Sequence, residues 1–119
     1  MRINIKTKNI ELNKGIEDFI NEKIGVVEKF IKSFEETNEP LVEVEIEKDS
    51  GHHNKGLVFR TEAQIQLHGK NLIRAEERGE DLFSSIVAAK KELEAEIKKY
   101  KVKMIDKVRR PQQKKGKIT

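Results

Sequence analysis

Three histidines are the first residues to test for chemistry. His52 and His53 are adjacent in the polar run KDSGHHNKG (48–56), and His68 stands apart in HGKN (68–71). Adjacent side chains diverge, and no cysteine or well-spaced acid completes a coordination set, so no metal site is expected. The chain contains no cysteine, which removes thiol nucleophiles, thiolate ligands and disulfides together. Glu43, Glu45 and Glu47 form the clearest row of carboxylates. Three acids at alternate positions share one environment, whereas general acid–base work needs contrasting ones. They read as the wet face of a strand, serving solubility and edge protection. A phosphate-cradling glycine loop and a nucleophile elbow are both missing from the sequence. An enzyme is therefore not expected, nor a cofactor or a small-molecule substrate.

Cations are the remaining chemistry. The chain carries 25 Lys and Arg against 21 Asp and Glu, a net charge of +4. Residues 101–119 hold eight of the bases, Arg109 and Arg110 among them, and one acid, Asp106. That segment is +7, and residues 1–100 are −3. A basic end displaces counterions from phosphates, or it is a solvated tail; the charge alone fits both. Upstream, Lys90, Lys91, Lys98 and Lys101 fall on one flank of a helical wheel. Glu92 and Glu96 fall on the other flank, near Lys99 and Lys103. This pattern fits a phosphate-binding face. It also fits an ordinary solvated face with pairs such as Glu94–Lys98. Arg60, Arg74 and Arg78 are further candidates, for phosphates in a fork geometry or for pairing with Glu62, Glu76 and Glu77.

The elements that position these residues follow from periodicity. At 119 residues and 5% aromatics, one domain with a thin aliphatic core is expected. Residues 2–6 alternate and predict a strand. Ile16, Phe19, Ile20, Ile24, Val27, Ile31 and Phe34 form one helical stripe over 14–34, with Asn13 as its N-cap. Pro40 and the polar run before it end that helix. Residues 41–48, 57–67 and 72–77 predict three more strands, the last two joined by a hairpin at 68–71. From about Asp81 the helical period returns, with Leu82, Phe83, Ile86, Ala89, Leu93, Ile97, Tyr100 and Met104 in one stripe; the first turn suits Asp81. Phe83 and Tyr100 lie on that stripe and predict core packing. Beyond Arg110 the composition predicts a loose end.

The order is β-α-β-β-β-α. It predicts an α+β two-layer sandwich, a four-stranded sheet with both helices on one face. The first two strands should be parallel, joined by a right-handed crossover. No run reaches the ~18 apolar residues of a membrane span. The alternating start MRINIK is not a secretory signal, so a cytoplasmic protein is expected.

Several stretches together resemble one family. They are Ile3-Asn4-Ile5, Asn9-Ile10-Glu11-Leu12-Asn13, the run Arg74-Ala75-Glu76-Glu77-Arg78-Gly79-Glu80-Asp81-Leu82-Phe83-Ser84-Ser85-Ile86, the loop His52–Gly56 and Ile97–Lys103. In this order they resemble the ribosome hibernation-promoting factors, which include the ribosome-associated inhibitor protein Y. The resemblance covers residues 1 to about 105. It implies a fold like a double-stranded-RNA-binding domain with an added first strand. It implies binding to the small ribosomal subunit and its rRNA, in competition with mRNA and tRNA, so that translation stops and idle ribosomes are preserved. Long members add a C-terminal ribosome-dimerisation domain, which this chain is expected to lack, as a short form would. The expected division is a ribosome-binding domain over 1–105 and a basic, flexible tail over 106–119.

The resemblance also assigns residues. Basic positions of the family match Lys8, Lys23, Lys29 and Lys99. With Arg74, Lys90, Lys91, Lys98, Lys101, Arg109 and Arg110 they make the expected rRNA contacts. Where the family carries further bases, this chain has Val26, Glu92 and Ala95, which shifts part of the expected binding to the tail. Two other classes fit the residues alone: a protein–protein module using the acidic strand face, and a generic duplex-RNA binder.

Overall fold

Alternating apolar and polar residues send every second side chain to the same side of a strand. Four segments here alternate and assemble into one sheet. The computed structural model describes residues 1–32, 40–49, 58–67 and 72–118, the side chains of 105–118 excepted. The strands are β1 (Arg2–Lys8), β2 (Leu41–Lys48), β3 (Phe59–Gln66) and β4 (Leu72–Gly79), in that spatial order. β1 pairs parallel with β2, with Ile3 opposite Val42 and Ile5 opposite Val44. The β2–β3 and β3–β4 pairs are antiparallel, so Val44, Ala63 and Ala75 form one inward row. Both sequence turns of interest, the histidine loop and the 68–71 hairpin, lie outside the described residues, as do His52, His53 and His68.

Helices cover the inner face. They are α1 (Lys14–Gly25), α2 (Glu28–Lys32) and α3 (Leu82–Ile118). Ile20 and Ile24 of α1, Ile31 of α2 and Val27 between them join Leu82, Ile86, Leu93 and Ile97 from α3 in a single core with the inward strand residues. The two-layer α+β sandwich is thus as expected. The core is aliphatic, and Phe19, Phe30, Phe59 and Tyr100 only rim it.

Two expected elements differ. Where one continuous helix over 14–34 is expected, the described part, to Lys32, is two helices separated by a turn at Val26 and Val27; Phe34 lies outside the described residues. Gly25 is a poor helix former, and two β-branched valines follow it. The backbone tightens there to three-residue bonds: Val27 N–H to Ile24 O at 3.0 Å and Phe30 N–H to Val27 O at 3.0 Å. The apolar stripe survives the break, because Ile24, Val27 and Ile31 all stay fully buried. α3 also runs to Ile118, past the expected end near Arg110. Lys, Arg and Gln favour helix, and the helix continues through Pro111 although that residue removes a backbone donor and crowds the carbonyl four residues before it.

Caps set where the helices begin. Asn13 is extended, and its Oδ1 accepts the Ile16 N–H at 2.9 Å, as its residue type predicts. Asp81 caps α3 from just outside it: Oδ1 accepts the Ser84 N–H at 2.8 Å and Oδ2 the Ser84 hydroxyl at 2.9 Å. Those bonds hold its carboxyl below the usual carboxylate range. The cap therefore contributes above the unfolded carboxyl pKa and fades as pH falls through the lowered folded value.

The β4–α3 junction is tight. A Cβ on Gly79 would meet the Ser85 backbone N at 2.8 Å and the Asp81 carbonyl oxygen at 3.0 Å. Below it, the buried Ser85 hydroxyl donates to the Leu82 carbonyl at 2.7 Å and accepts from Thr61 Oγ1 at 2.8 Å. This bond ties β3 to the first turn of α3. Gly79→Ala is expected to destabilise the fold by about 1–3 kcal/mol, because backbone must move; a urea melt measures it. Ser85→Ala strands the buried Thr61 hydroxyl and is expected to cost about 1–3 kcal/mol. Adding Thr61→Val should restore part of that loss, and a midpoint no higher than that of Ser85→Ala would show the bond carries no coupling.

Candidate nucleic-acid interface

The outer face of the sheet carries charge in facing rows. Lys8, Glu47, Arg60 and Arg78 stand opposite one another across the four strands, and Lys6, Glu45, Glu62 and Glu76 form the next row. Opposite charges at such spacing attract. Arg60 is the hub and is only 12% exposed. Its Nε donates to Glu47 at 2.8 Å, Nη1 to Glu76 at 2.6 Å and Nη2 to Glu45. Burial works against its charge, but the hydrogen bonds to Glu47, Glu45 and Glu76 outweigh it and raise the guanidinium pKa. Of the pairings left open between Arg60, Arg74 and Arg78 and the acids Glu62, Glu76 and Glu77, Arg60 takes Glu76 and Arg74 takes Glu62, while Glu45 and Glu47 are partners of Arg60 that sequence reading did not name. Arg74 binds Glu62 and lies 3.8 Å from Glu76, and Arg78 meets Asp49 at 3.2 Å. Two of the expected rRNA contacts are therefore on this face: Arg74, and Lys8, whose Nζ is 3.8 Å from Glu47.

The helical layer holds its cations differently. Phe83 sets its edge against the Phe19 face, with centroids 4.7 Å apart at 83°. Phe83 is 47% exposed, so it bridges α3 to α1 at the surface and is not in the core. Lys23 Nζ lies 5.6 Å above the Phe19 ring, and Lys98 Nζ 5.2 Å above Phe30. A ring face attracts an ammonium without neutralising it. Both lysines are thus held in place with their full charge. Lys29 and Lys91 are exposed and Lys101 half-exposed, and none of the three has an ion pair among the described residues. Lys90 meets Glu94 at 3.5 Å within its own helix.

The wheel places the flanks of α3 as expected. Lys98 reaches the α2 side. Lys99, 3.4 Å from Glu96, lies with Lys103 on the opposite flank, beside β4. There a groove of about 370 Å³ is lined by Leu72, Ile73, Arg74 and Tyr100 as well. The expected contacts therefore divide: Lys23, Lys29, Lys90, Lys91, Lys98 and Lys101 on the helical layer, Lys99 and Arg74 at the groove, Lys8 at the sheet edge. Arg109 and Arg110 ride on α3, and their side chains lie outside the described residues. Sequence reading missed Phe19 and Phe30 as seats for lysines. The four-residue spacing of Phe19 and Lys23 offered a signal; the Phe30–Lys98 contact, between two helices, offered none. No helix in the described residues is long and apolar enough to cross a membrane.

Known proteins resemble this chain in sequence and in fold. The family model for sigma 54 modulation protein / S30EA ribosomal protein matches residues 3–105. The ribosome hibernation promotion factor of Lactococcus lactis subsp. cremoris is 30% identical over 106 residues, covering 87% of this chain and 51% of that protein. The factor of the same name from Staphylococcus aureus is 28% identical over 105 residues, covering 87% and 50%. The chain thus spans about half the length of the curated relatives it matches. Among solved structures, the Thermus thermophilus protein Y N-terminal domain aligns with TM-score 0.66 and 25% identity, over 84% of this chain and 99% of that one. A ribosomal subunit interface protein from Coxiella burnetii shares the fold, with TM-score 0.64 and 16% identity over 86% and 99%. With a family match across nearly the whole sandwich, the chain belongs to the sigma 54 modulation protein / S30EA ribosomal protein family.

Proposed function

We propose that this chain is a cytoplasmic, non-enzymatic ribosome hibernation factor. It binds the small ribosomal subunit in the channel otherwise used by mRNA and tRNA, and translation stops because those sites are occupied. One observation carries the reading: Lys23 and Lys98 are held over phenyl rings rather than by carboxylates, on the same layer as Lys29, Lys91 and Lys101. Cations fixed in this way are ready for phosphates. The sheet face, by contrast, has its arginines engaged by its own acids. Membership of the family and the names of its hibernation factors support the same partner. The basic segment beyond residue 105 adds contacts to rRNA that the helical layer does not make.

Co-sedimentation with purified ribosomes through sucrose, at low and moderate salt, tests this. Binding to the small subunit or whole ribosome that mRNA and initiator tRNA reduce is the expected result. No binding at low salt would reject it. A preference for free duplex RNA, untouched by mRNA and tRNA, would make the chain a generic duplex binder. Affinity indifferent to salt would point to a protein partner, because phosphate contacts weaken steeply as salt rises. Reversing Lys91 and Lys101 to Glu should weaken binding and reduce the salt slope by about one per lysine. Deleting residues 105–119 should lower affinity and flatten the slope; an unchanged slope would remove the basic segment from the contact.

A further inference from the structure

The groove between β4 and α3 has chemistry that the helical layer lacks. β4 is an edge strand, so the groove is open along one side of the sheet. Its volume, about 370 Å³, is in the range of small ligand sites. Leu72 and Ile73 give it apolar surface, and Tyr100, half-buried against the core, lines it with a ring. Arg74, Lys99 and Lys103 converge on it; Glu96 lines it with them, and Glu62 and Glu76 flank Arg74, Glu76 at 3.8 Å. The Lys99–Glu96 pair is exposed and is readily exchanged for a ligand contact. Lys103 is exposed and has no ion pair among the described residues. Glu62 holds Arg74 through Nε and Nη2, which fixes the direction of its fork. A guanidinium has five N–H donors, and this side chain is 56% exposed, so donors remain for a ligand.

A ring, an apolar surface and convergent cations suit a planar base attached to a phosphate. We infer that the β4–α3 groove takes one unpaired nucleotide of an RNA strand, with its base against Tyr100 and its phosphate held by Arg74, Lys99 and Lys103. Lys98 and Lys101 lie on the other flank of α3, facing the helical layer, so the groove is a contact separate from that layer. A duplex would keep its bases stacked away from the ring. The inference rests on the proposed function only for the class of partner. It adds a stacking contact to a surface otherwise made of point charges.

Tyr100 is the chain's one tyrosine and there is no tryptophan, so its emission reports on this groove alone. A short oligouridylate, with too little base stacking to fold, is the probe. Saturable quenching of Tyr100 is expected, and Lys103→Glu should abolish it or shift it to much higher RNA concentration. With end-labelled RNA followed by anisotropy, Tyr100→Leu should weaken binding roughly tenfold while Tyr100→Phe retains it. If Tyr100→Leu does not fold, the Lys103→Glu titration still decides. No change in Tyr100 emission in a protein that co-sediments with ribosomes would overturn the groove and leave the ribosome reading standing. Quenching by oligouridylate without ribosome binding would support the groove and reject that reading. Equal quenching by uridine monophosphate or by inorganic phosphate would overturn the RNA strand as occupant.

Discussion

The inner face of the sheet must be kept from water, and this requirement shapes both surfaces of the molecule. Val42, Val44, Ile46, Ala63 and Ile65 all lie at 0–1% exposure beneath the helices. With few aromatics to fill the space, the core depends on close packing of aliphatic side chains. Most charge on the described strands and helices is thereby pushed to one of two places, the outer sheet face or the outward sides of α1, α2 and α3; Glu77 of the edge strand β4, in register with the buried Thr61, is an exception. Strand registry on the sheet brings acids and bases within reach of one another, some directly opposite, as Glu47 and Arg60, and some diagonal, as Arg60 with Glu45 and Glu76. Helical geometry does less to pair charges between elements, and there the rings of Phe19 and Phe30 seat the lysines instead. One layer is electrostatically closed and the other open.

Periodicity made most of the sandwich legible. Alternation in Val42–Ile46 and the stripe from Ile20 to Ile31 identified layers and faces, because burial acts on every residue of such a pattern. The break at Val26 was harder to see. Its cause is local, Gly25 followed by two β-branched residues, but the stripe runs through it undisturbed, so a pattern reading finds one helix. The candidate site was legible by residue type and not by partner. Helical spacing separated Lys98 from Lys99, whereas which arginine meets which glutamate depends on strand registry. Arg60 illustrates this: its partners Glu45 and Glu47 lie on β2, the strand antiparallel to its own β3. Phe83 shows the reverse, an apolar residue on the expected stripe whose position at its edge leaves it half in water.

The family match and the charge distribution divide the chain at nearly the same point. Residues 3–105 match the family model and contain almost all of the sandwich, with a slightly negative balance. The excess positive charge begins at Lys101 and lies mostly beyond the match. What this chain is shown to share with its relatives is therefore the scaffold, and its strongest electrostatic feature is carried mostly outside the matched part.

The parallel pairing of β1 with β2 has a consequence for how the chain assembles. β2, β3 and β4 are consecutive and antiparallel, and α3 follows β4 directly, so this unit closes only short loops. β1 joins at the edge after the chain has passed through α1 and α2, closing the longest loop in the sheet. Closure entropy grows with loop length, and contacts distant in sequence form slowly. The route of least entropic cost thus builds β2–β3–β4–α3 first and seats β1 last. That makes the N-terminal strand the latch of the domain rather than its nucleus.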